Sequence, residues 1–311
     1  MTIPFIKKYI SLYTLVSAVG MLLAVGLVLF LFLSSKHVLH TPTATHATST
    51  QALTLSDNAL LAKAAVVYDP ATGKMLYAKN AEVTMPLASL TKLMTAQVVL
   101  SNIATSTLIT LSKKDMSVEG DAGDWNLQAG DTLTLGNIIK LGLGASSNHA
   151  MSAAAAALGT SYITDLNSTA GKLGLTHTYF LNSTGLDLST STSGAYGSAS
   201  DIAHLAAAFL HQYPGYFELS TNLSVTVPVH SKSGTREVTA KATALPILDI
   251  PGIIGVKTGY TDLAGGNLVV AFDDDINRPL IAVVLGSTEE GRFTDMRTLI
   301  TAVRAGSAVK E

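Results

Sequence analysis

Between Ile10 and Leu33 the chain runs for 24 residues without a charge, through MLLAVGLVLFLFL. A helix rises 1.5 Å per residue, so this stretch spans a hydrocarbon core of about 30 Å with some tilt. Lys7 and Lys8 lie just before it and only Lys36 just after. The positive-inside rule then places the N-terminus in the cytoplasm and everything after Ser34 outside. A cleaved signal peptide would have an apolar region of about 7–15 residues ending at an A-x-A-like site. Here the run is longer and SSKHVLH follows it. The expectation is a cytoplasmic tail over 1–9, a retained transmembrane anchor over 10–33 and a single-pass protein of the cytoplasmic membrane.

Residues 34–57 are rich in Thr, Ala and His and carry no apolar periodicity. They read as a flexible linker with a coil reach of about 25–30 Å. Its three histidines, His37, His40 and His46, read as solvated linker residues, since nothing orders them into a metal site. The mean hydropathy of +0.37 partly reflects the anchor, but the charged fraction of 14% is low throughout. Disordered chains are polar and highly charged, so that class is excluded. A net charge of −2 leaves no basic excess to neutralise phosphates, which excludes nucleic acid as a partner. The absence of cysteine removes disulfides, cysteine nucleophiles, thiolate metal sites and iron–sulfur clusters.

From Asn58 to Glu311 the pattern is globular. Ala64–Tyr68 and Lys74–Ala78 flank Asp69, Pro70, Thr72 and Gly73, which predicts a hairpin. MPLASLTKLMTAQVVLS follows with helical spacing of its apolar residues. The middle predicts helices over Leu133–Leu143, Asn148–Leu158, Tyr162–Leu173 and Ala199–His211. The last third predicts strands over Leu223–His230, Arg236–Lys241, Ile253–Tyr260, Asn267–Phe272 and Leu280–Leu285, then a helix over Phe293–Ala305. Asp273–Asp275 reads as the turn of a hairpin rather than a metal site. The order implies an α+β fold with one sheet assembled from both chain ends and a helical lobe between them.

Three short patterns carry chemistry. In PLASLTKLMT, Ser89 and Lys92 lie three apart on a helix, on one face and one turn apart. Serine is a weak nucleophile until a base takes its proton, and lysine can be that base when its ammonium is destabilised. In GASSNHA, Ser146 and Asn148 occupy a turn between helical stretches, where a hydroxyl can relay a proton and an amide can grip a peptide. In GIIGVKTGYT, Lys257, Thr258 and Gly259 end a β run that could pair with an extended peptide and hold its carboxylate. Each alone is common by chance. Together, in this order, they form the S-x-x-K, S-x-N, K-T-G signature of penicillin-binding serine enzymes. Ser89 precedes Ser146 by 57 residues and Ser146 precedes Lys257 by 111.

VVYDPATGKMLYAKNAEVTMPLASLTKLMTA, LGLTHTYFLNSTGLD, GVKTGYTDLAGGNLVVAF and RPLIAVVLGSTEEGRF resemble the D-alanyl-D-alanine carboxypeptidase family of low-molecular-mass penicillin-binding serine peptidases. The likeness runs from about Ala64 to Val303. It implies a DD-peptidase catalytic domain over 58–311, with the serine β-lactamase-like fold: an antiparallel sheet flanked by helices, plus a helical lobe. It implies that Ser89 is acylated, Lys92 is its general base and Ser146 passes the proton to the leaving amine. Asn148 would hold the substrate carbonyl and help position Lys92, and Lys257 would shape the electrostatics. The backbone N–H groups of Ser89 and Tyr260, the latter just after Gly259, would form the oxyanion hole. Thr258 and Arg292 would receive the terminal carboxylate. The implied partners are a peptidoglycan stem peptide as substrate and β-lactam antibiotics as inhibitors, with no cofactor and no metal.

Some features depart from that family or stand outside it. The second motif is S-S-N followed by His149, where members often carry Asp. The Asp121–Asp131 stretch, with the lone Trp125, reads as a loop near the cleft mouth. N-S-T at Asn167 and Asn182 would be glycosylation acceptors only in a eukaryotic secretory pathway. A D,D-endopeptidase or weak transpeptidase carries the same motifs, since only the acceptor or leaving group differs. A β-lactamase needs an efficient deacylation base, and the only acid between His149 and Thr184 is Asp165. A non-catalytic peptidoglycan-binding scaffold is the reading from a different class, and the intact motifs count against it.

Overall fold

The two ends of the globular chain meet in one sheet. The computed structural model describes residues 55–56, 59–119, 126–275 and 278–308. β1 (Ala64–Asp69) and β2 (Lys74–Lys79) form the expected hairpin. Asp69 shapes its turn: Oδ1 accepts the Ala71 N–H at 3.0 Å and the carbonyl accepts the Gly73 N–H at 2.8 Å. β3 (Met85–Pro86) and α1 (Thr91–Asn102) follow. Next come β4 (Leu108–Thr110), β5 (Thr132–Thr134), α2 (Leu135–Gly144), α3 (Asn148–Ala156) and α4 (Tyr162–Lys172). β6 (Tyr179–Phe180) and β7 (Ala195–Gly197) precede α5 (Ala199–Gln212) and the short α6 (Pro214–Glu218). The chain then runs through β8 (Ser224–Ser231), β9 (Gly234–Lys241), β10 (Ile253–Thr261), β11 (Gly265–Asp275), β12 (Arg278–Ser287) and α7 (Gly291–Ala308).

The main sheet is antiparallel, in the order β10-β11-β12-β1-β2. Strand side chains alternate between faces. Ala64, Val66, Val269, Ile281 and Val283 pack toward Leu93, Ile202 and Phe209 of the helical lobe. Ala65, Val67, Val270, Ala282 and Val284 pack against Phe293, Met296, Leu299 and Ile300 of α7. Cover on both faces explains why β12 reads as an unbroken apolar run, LIAVVL, rather than alternating. Two polar clamps join the ends. Asp295 on α7 accepts the N–H groups of Leu61 and Ala62, each at 2.8 Å, and the Ser287 hydroxyl at 2.6 Å. Arg278 donates to Asp69 at 2.8 Å. Burial alone would raise the Asp69 carboxyl, but Arg278 and Thr72 together hold it below its usual value.

The sheet from both ends is borne out, but it does not take every late strand. β8 and β9 instead join β4 and β5 in a separate sheet of order β4-β5-β8-β9. The reason is visible in SVTVPVH, where exposed and buried residues alternate. Such a strand has one wet face and does not suit a sheet covered on both sides. A third small sheet, β3-β7-β6, is built from strands too short to leave a periodic signal. The helix expected over Leu133–Leu143 starts at Leu135, because the Thr134 side chain caps it by accepting the Asn137 N–H. Asp273–Asp275 is also corrected: these residues end β11, with Asp275 paired to Arg278 of β12.

Among the described residues no helix is long and apolar enough to cross a membrane. The expected anchor over 10–33 and nearly all of the expected linker lie outside the described residues, as do Asp121, Asp124 and Trp125. Asp131 is described and forms an ion pair with Arg236 of β9 at 2.7 Å.

Candidate active site

Ser89 sits in a 3-10 turn, Ala88–Leu90, that leads directly into α1. The turn is strained: Ala88 adopts φ +48°, a left-handed conformation unfavourable for a residue with a Cβ. Thr91 Oγ1 donates to the Ala88 carbonyl at 2.8 Å and helps hold it there. One turn along α1, Lys92 extends back so that Nζ lies 2.6 Å from Ser89 Oγ. Nζ also donates to the Thr184 carbonyl at 3.3 Å. The Lys92 side chain is fully buried.

Opposite stands a second lysine–serine pair. Lys257 Nζ donates to Ser146 Oγ at 2.8 Å and to the Thr258 carbonyl at 2.9 Å. Ser146 lies in the connection from α2 to α3 at φ +60°, the second strained non-glycine residue of the site. Its neighbour Ser147 caps α3 by accepting the Ala150 N–H at 3.1 Å. Asn148 opens α3, and its amide donates to the Glu119 carbonyl at 3.1 Å.

Lys257 is 1% exposed. Burial pushes its pKa well below the ordinary lysine value, and the charges of Lys92 and Arg292 push it further the same way. Two buried lysines, each on a serine hydroxyl, therefore lie within electrostatic reach of each other and of a buried arginine. Repulsion from Lys92 and Arg292 thus works with burial to favour the neutral amine at Lys257.

The third wall is β10, an edge strand paired only with β11. It closes directly on the nucleophile's turn. A Cβ built on Gly259 would lie 3.1 Å from the Leu87 carbonyl oxygen and 3.2 Å from the Ser89 nitrogen. The glycine of K-T-G thus lets the strand backbone approach the Ser89 N–H. Thr258 Oγ1 hydrogen-bonds Thr243 Oγ1 at 2.6 Å. Arg292 donates from Nη1 to the Gly259 carbonyl at 2.8 Å and stacks over Phe293. Burial lowers its pKa, an effect that Glu289, Glu290 and Tyr260 oppose. The Tyr260 side chain is 45% exposed at the strand's end.

Hydrogen bonds therefore pair Ser89 with Lys92 and Ser146 with Lys257, and β10 closes directly against the Ser89 turn. Arg292 reaches the site by bracing the strand backbone. A family model described as D-alanyl-D-alanine carboxypeptidase matches residues 48–289. The chain belongs to the D-alanyl-D-alanine carboxypeptidase family. It is 30% identical over 253 residues to D-alanyl-D-alanine carboxypeptidase DacC of Escherichia coli, an alignment covering 77% of this chain and 60% of that protein. It is 31% identical to a D-alanyl-D-alanine endopeptidase of Pseudomonas aeruginosa, over 76% of this chain and 74% of the relative. The chain thus spans about 60% of the length of the carboxypeptidase relatives it matches. The Streptomyces K15 DD-transpeptidase superposes with a TM-score of 0.72 at 27% identity, covering 81% of this chain and all of that one. Penicillin-binding protein D2 of Listeria monocytogenes in its cefotaxime-bound form gives 0.68 at 27% identity, over 78% and 97%.

Several contacts of this family member escape sequence reasoning. The carbonyls of Thr184 and Glu119 are acceptors whatever side chains those residues bear, so no motif marks them. Thr243 is a threonine among many. Among the described residues, one group combines the donor atoms a metal would use: Glu82, His177 and Asp201. His177 Nδ1 lies 3.3 Å from Glu82, and Asp201 accepts the His177 N–H and the Thr178 hydroxyl, each at 2.8 Å.

Proposed function

We propose that this protein is a serine-type D-Ala-D-Ala carboxypeptidase that removes the terminal D-alanine from peptidoglycan stem peptides. The observation that carries this reading is the 2.6 Å contact of Lys92 Nζ with Ser89 Oγ, faced by the 2.8 Å contact of Lys257 with Ser146. The Lys92 amine takes the Ser89 proton as Oγ attacks the carbonyl carbon of the penultimate D-alanine. Negative charge then develops on the carbonyl oxygen, where the N–H groups of Ser89 and Tyr260 receive it. The C–N bond breaks, and Ser146 relays to the departing amine the proton that Lys92 took, so that both groups end as they began. Water hydrolyses the ester on Ser89, releasing the shortened peptide and returning the proton to the serine.

Substrate enters as an extended strand along the free edge of β10. Asn148 holds its carbonyl from the opposite wall. Thr258 and Arg292 receive the terminal carboxylate, and Lys257 shapes the electrostatics around Ser146. β-Lactams acylate the same serine and stay. A β-lactamase role is disfavoured, because no glutamate stands between His149 and Thr184 to serve as a deacylation base, Asp165 being the only acid there. The uncharged run 10–33 anchors the protein in the cytoplasmic membrane with residues 58–311 outside. The endopeptidase among the relatives supports one second reading, cleavage of D,D-crosslinks by the same machinery, with weak transpeptidation as its variant.

Full-length protein in detergent, incubated with benzylpenicillin and weighed intact, tests the nucleophile. A stable adduct absent from Ser89→Ala is expected, and a wild type that never forms one sinks the proposal. Free D-alanine released from a stem pentapeptide marks the carboxypeptidase. Crosslink loss without D-alanine release marks the endopeptidase. Mass spectrometry of the mature N-terminus tests the anchor, and a start beyond Leu33 would overturn it.

A further inference from the structure

The N-S-T at Asn182 reads as a modification sequence, yet both ends of its amide bond the backbone of its own segment. Asn182 Oδ1 accepts the N–H groups of Thr184 at 3.1 Å and Gly185 at 2.7 Å, and Nδ2 donates to the Leu186 carbonyl at 2.8 Å. One side chain thus folds the segment 182–186 back on itself, as asparagine does in turns. The enclosure is tight: a Cβ on Gly194 would lie 2.2 Å from Asn182 Nδ2.

This fold aims two successive carbonyls at the nucleophile's helix. Ser183 O accepts from Thr95 Oγ1 at 2.8 Å, and Thr184 O accepts from Lys92 Nζ at 3.3 Å. Lys92 and Thr95 are three residues apart, on one face of α1. The same segment presses on the strained turn ahead of Ser89. Gly185, at φ +80°, has no room for a Cβ, which would fall 1.8 Å from the Ala88 carbonyl oxygen.

We infer that Asn182 is a positioning residue for catalysis: by folding the 182–186 turn, it sets the Thr184 carbonyl that holds Lys92 Nζ on Ser89. The inference rests on the roles given above to Ser89 and Lys92. Asn182 touches neither the reacting atoms nor the substrate, so its effect falls on the acylation step and not on initial binding.

The test compares full-length wild type, Asn182→Ala and Asn182→Asp with benzylpenicillin, resolving the dissociation constant of the initial complex from the acylation rate constant. Melting temperature is followed for each. Asn182→Ala is expected to acylate 10- to 100-fold more slowly with an initial complex within about twofold of wild type. Asn182→Asp keeps the acceptor for both N–H groups and is expected to recover to within about fivefold. Two outcomes overturn the inference alone: Asn182→Ala acylating as fast as wild type, or both variants losing initial binding and acylation in equal proportion. If Asn182→Ala is too unstable to assay, Asn182→Asp and Asn182→Ser decide the matter, since both retain an acceptor for the turn. Slow acylation in these two at unchanged melting temperature would also overturn it. A wild type that never acylates overturns the proposed function itself.

Discussion

Substituting Gly259 by alanine tests whether the edge strand and the nucleophile's turn form one working unit. The new Cβ would stand 3.1 Å from the Leu87 oxygen, 3.2 Å from the Ser89 nitrogen and 3.3 Å from Ala88 Cβ. These lie a few tenths of an ångström inside the ordinary contact distance of about 3.5–4.0 Å. Two of the three atoms are backbone and cannot rotate away, so β10 and the turn must part. Gly259 is not among the residues at positive φ, so alanine adds no backbone strain there. The cost to the fold is then that of overpacking, about 1–3 kcal/mol, or about 2–12 °C in Tm for a domain of this size. The cost to function is larger, because the displaced Ser89 N–H is a proposed oxyanion donor. Loss of one such donor slows reaction by about 10²–10³-fold. The assay is a time course of acylation by a fluorescent penicillin, checked by intact mass, beside a thermal melt of the same preparation. Acylation within about threefold of wild type in a protein of unchanged Tm would refute the reasoning. It would mean that the strand yields freely, or that the Ser89 N–H carries no developing charge.

Phe217 is fully buried, meets Phe209 edge-on at 5.7 Å and lies against Gly255 of β10. Phe217→Ala should cost about 3–5 kcal/mol, read as a fall in denaturation midpoint. Asp295→Ala leaves the N–H groups of Leu61 and Ala62 and the Ser287 hydroxyl without their acceptor, and should cost more than about 2 kcal/mol by the same measurement. Lys257 has a folded pKa below its unfolded one, so between the two values the unfolded chain binds more protons. Stability from this group therefore rises with pH through that window and is lowest below it. Accordingly, the Tm advantage of Lys257→Met over wild type should shrink as pH rises from 6 toward 10, and a constant difference would count against the burial argument. Thr243→Val removes the partner of Thr258 Oγ1 and should raise KM for a carboxylate-terminated peptide more than it lowers kcat, while Thr243→Ser restores the wild-type value.

What could be read ahead of the structure followed physical rules of uneven reach. The hairpin around Asp69–Gly73 and the run LIAVVL were legible because turn chemistry and double burial leave strong local signals. Spacing alone put Ser89 beside Lys92, since a helix brings residues three apart onto one face. The meeting of Ser146 with Lys257, 111 residues away, was legible only through the resemblance, because no local rule couples such distant positions. β6 and β7, of two and three residues, carry no period at all. Backbone acceptors were invisible in principle, as the Thr184 carbonyl on Lys92 illustrates. The N-S-T at Asn182 did stand out, but as a modification sequence rather than as the turn it folds.

The clamp of Arg278 on Asp69 joins residues 209 positions apart, and β1 lies between β2 and β12 in the finished sheet. At a synthesis rate of about 5–20 residues per second, β1 waits roughly 10–40 s for its partner to be made. During that interval one edge of the newborn hairpin is bare, and its apolar faces have neither α7 nor the helical lobe complete to cover them. The last strand made is thus the one that completes the sheet, and a ribosome that stops short of Ser287 leaves a hairpin suited to pair with another chain instead of its own.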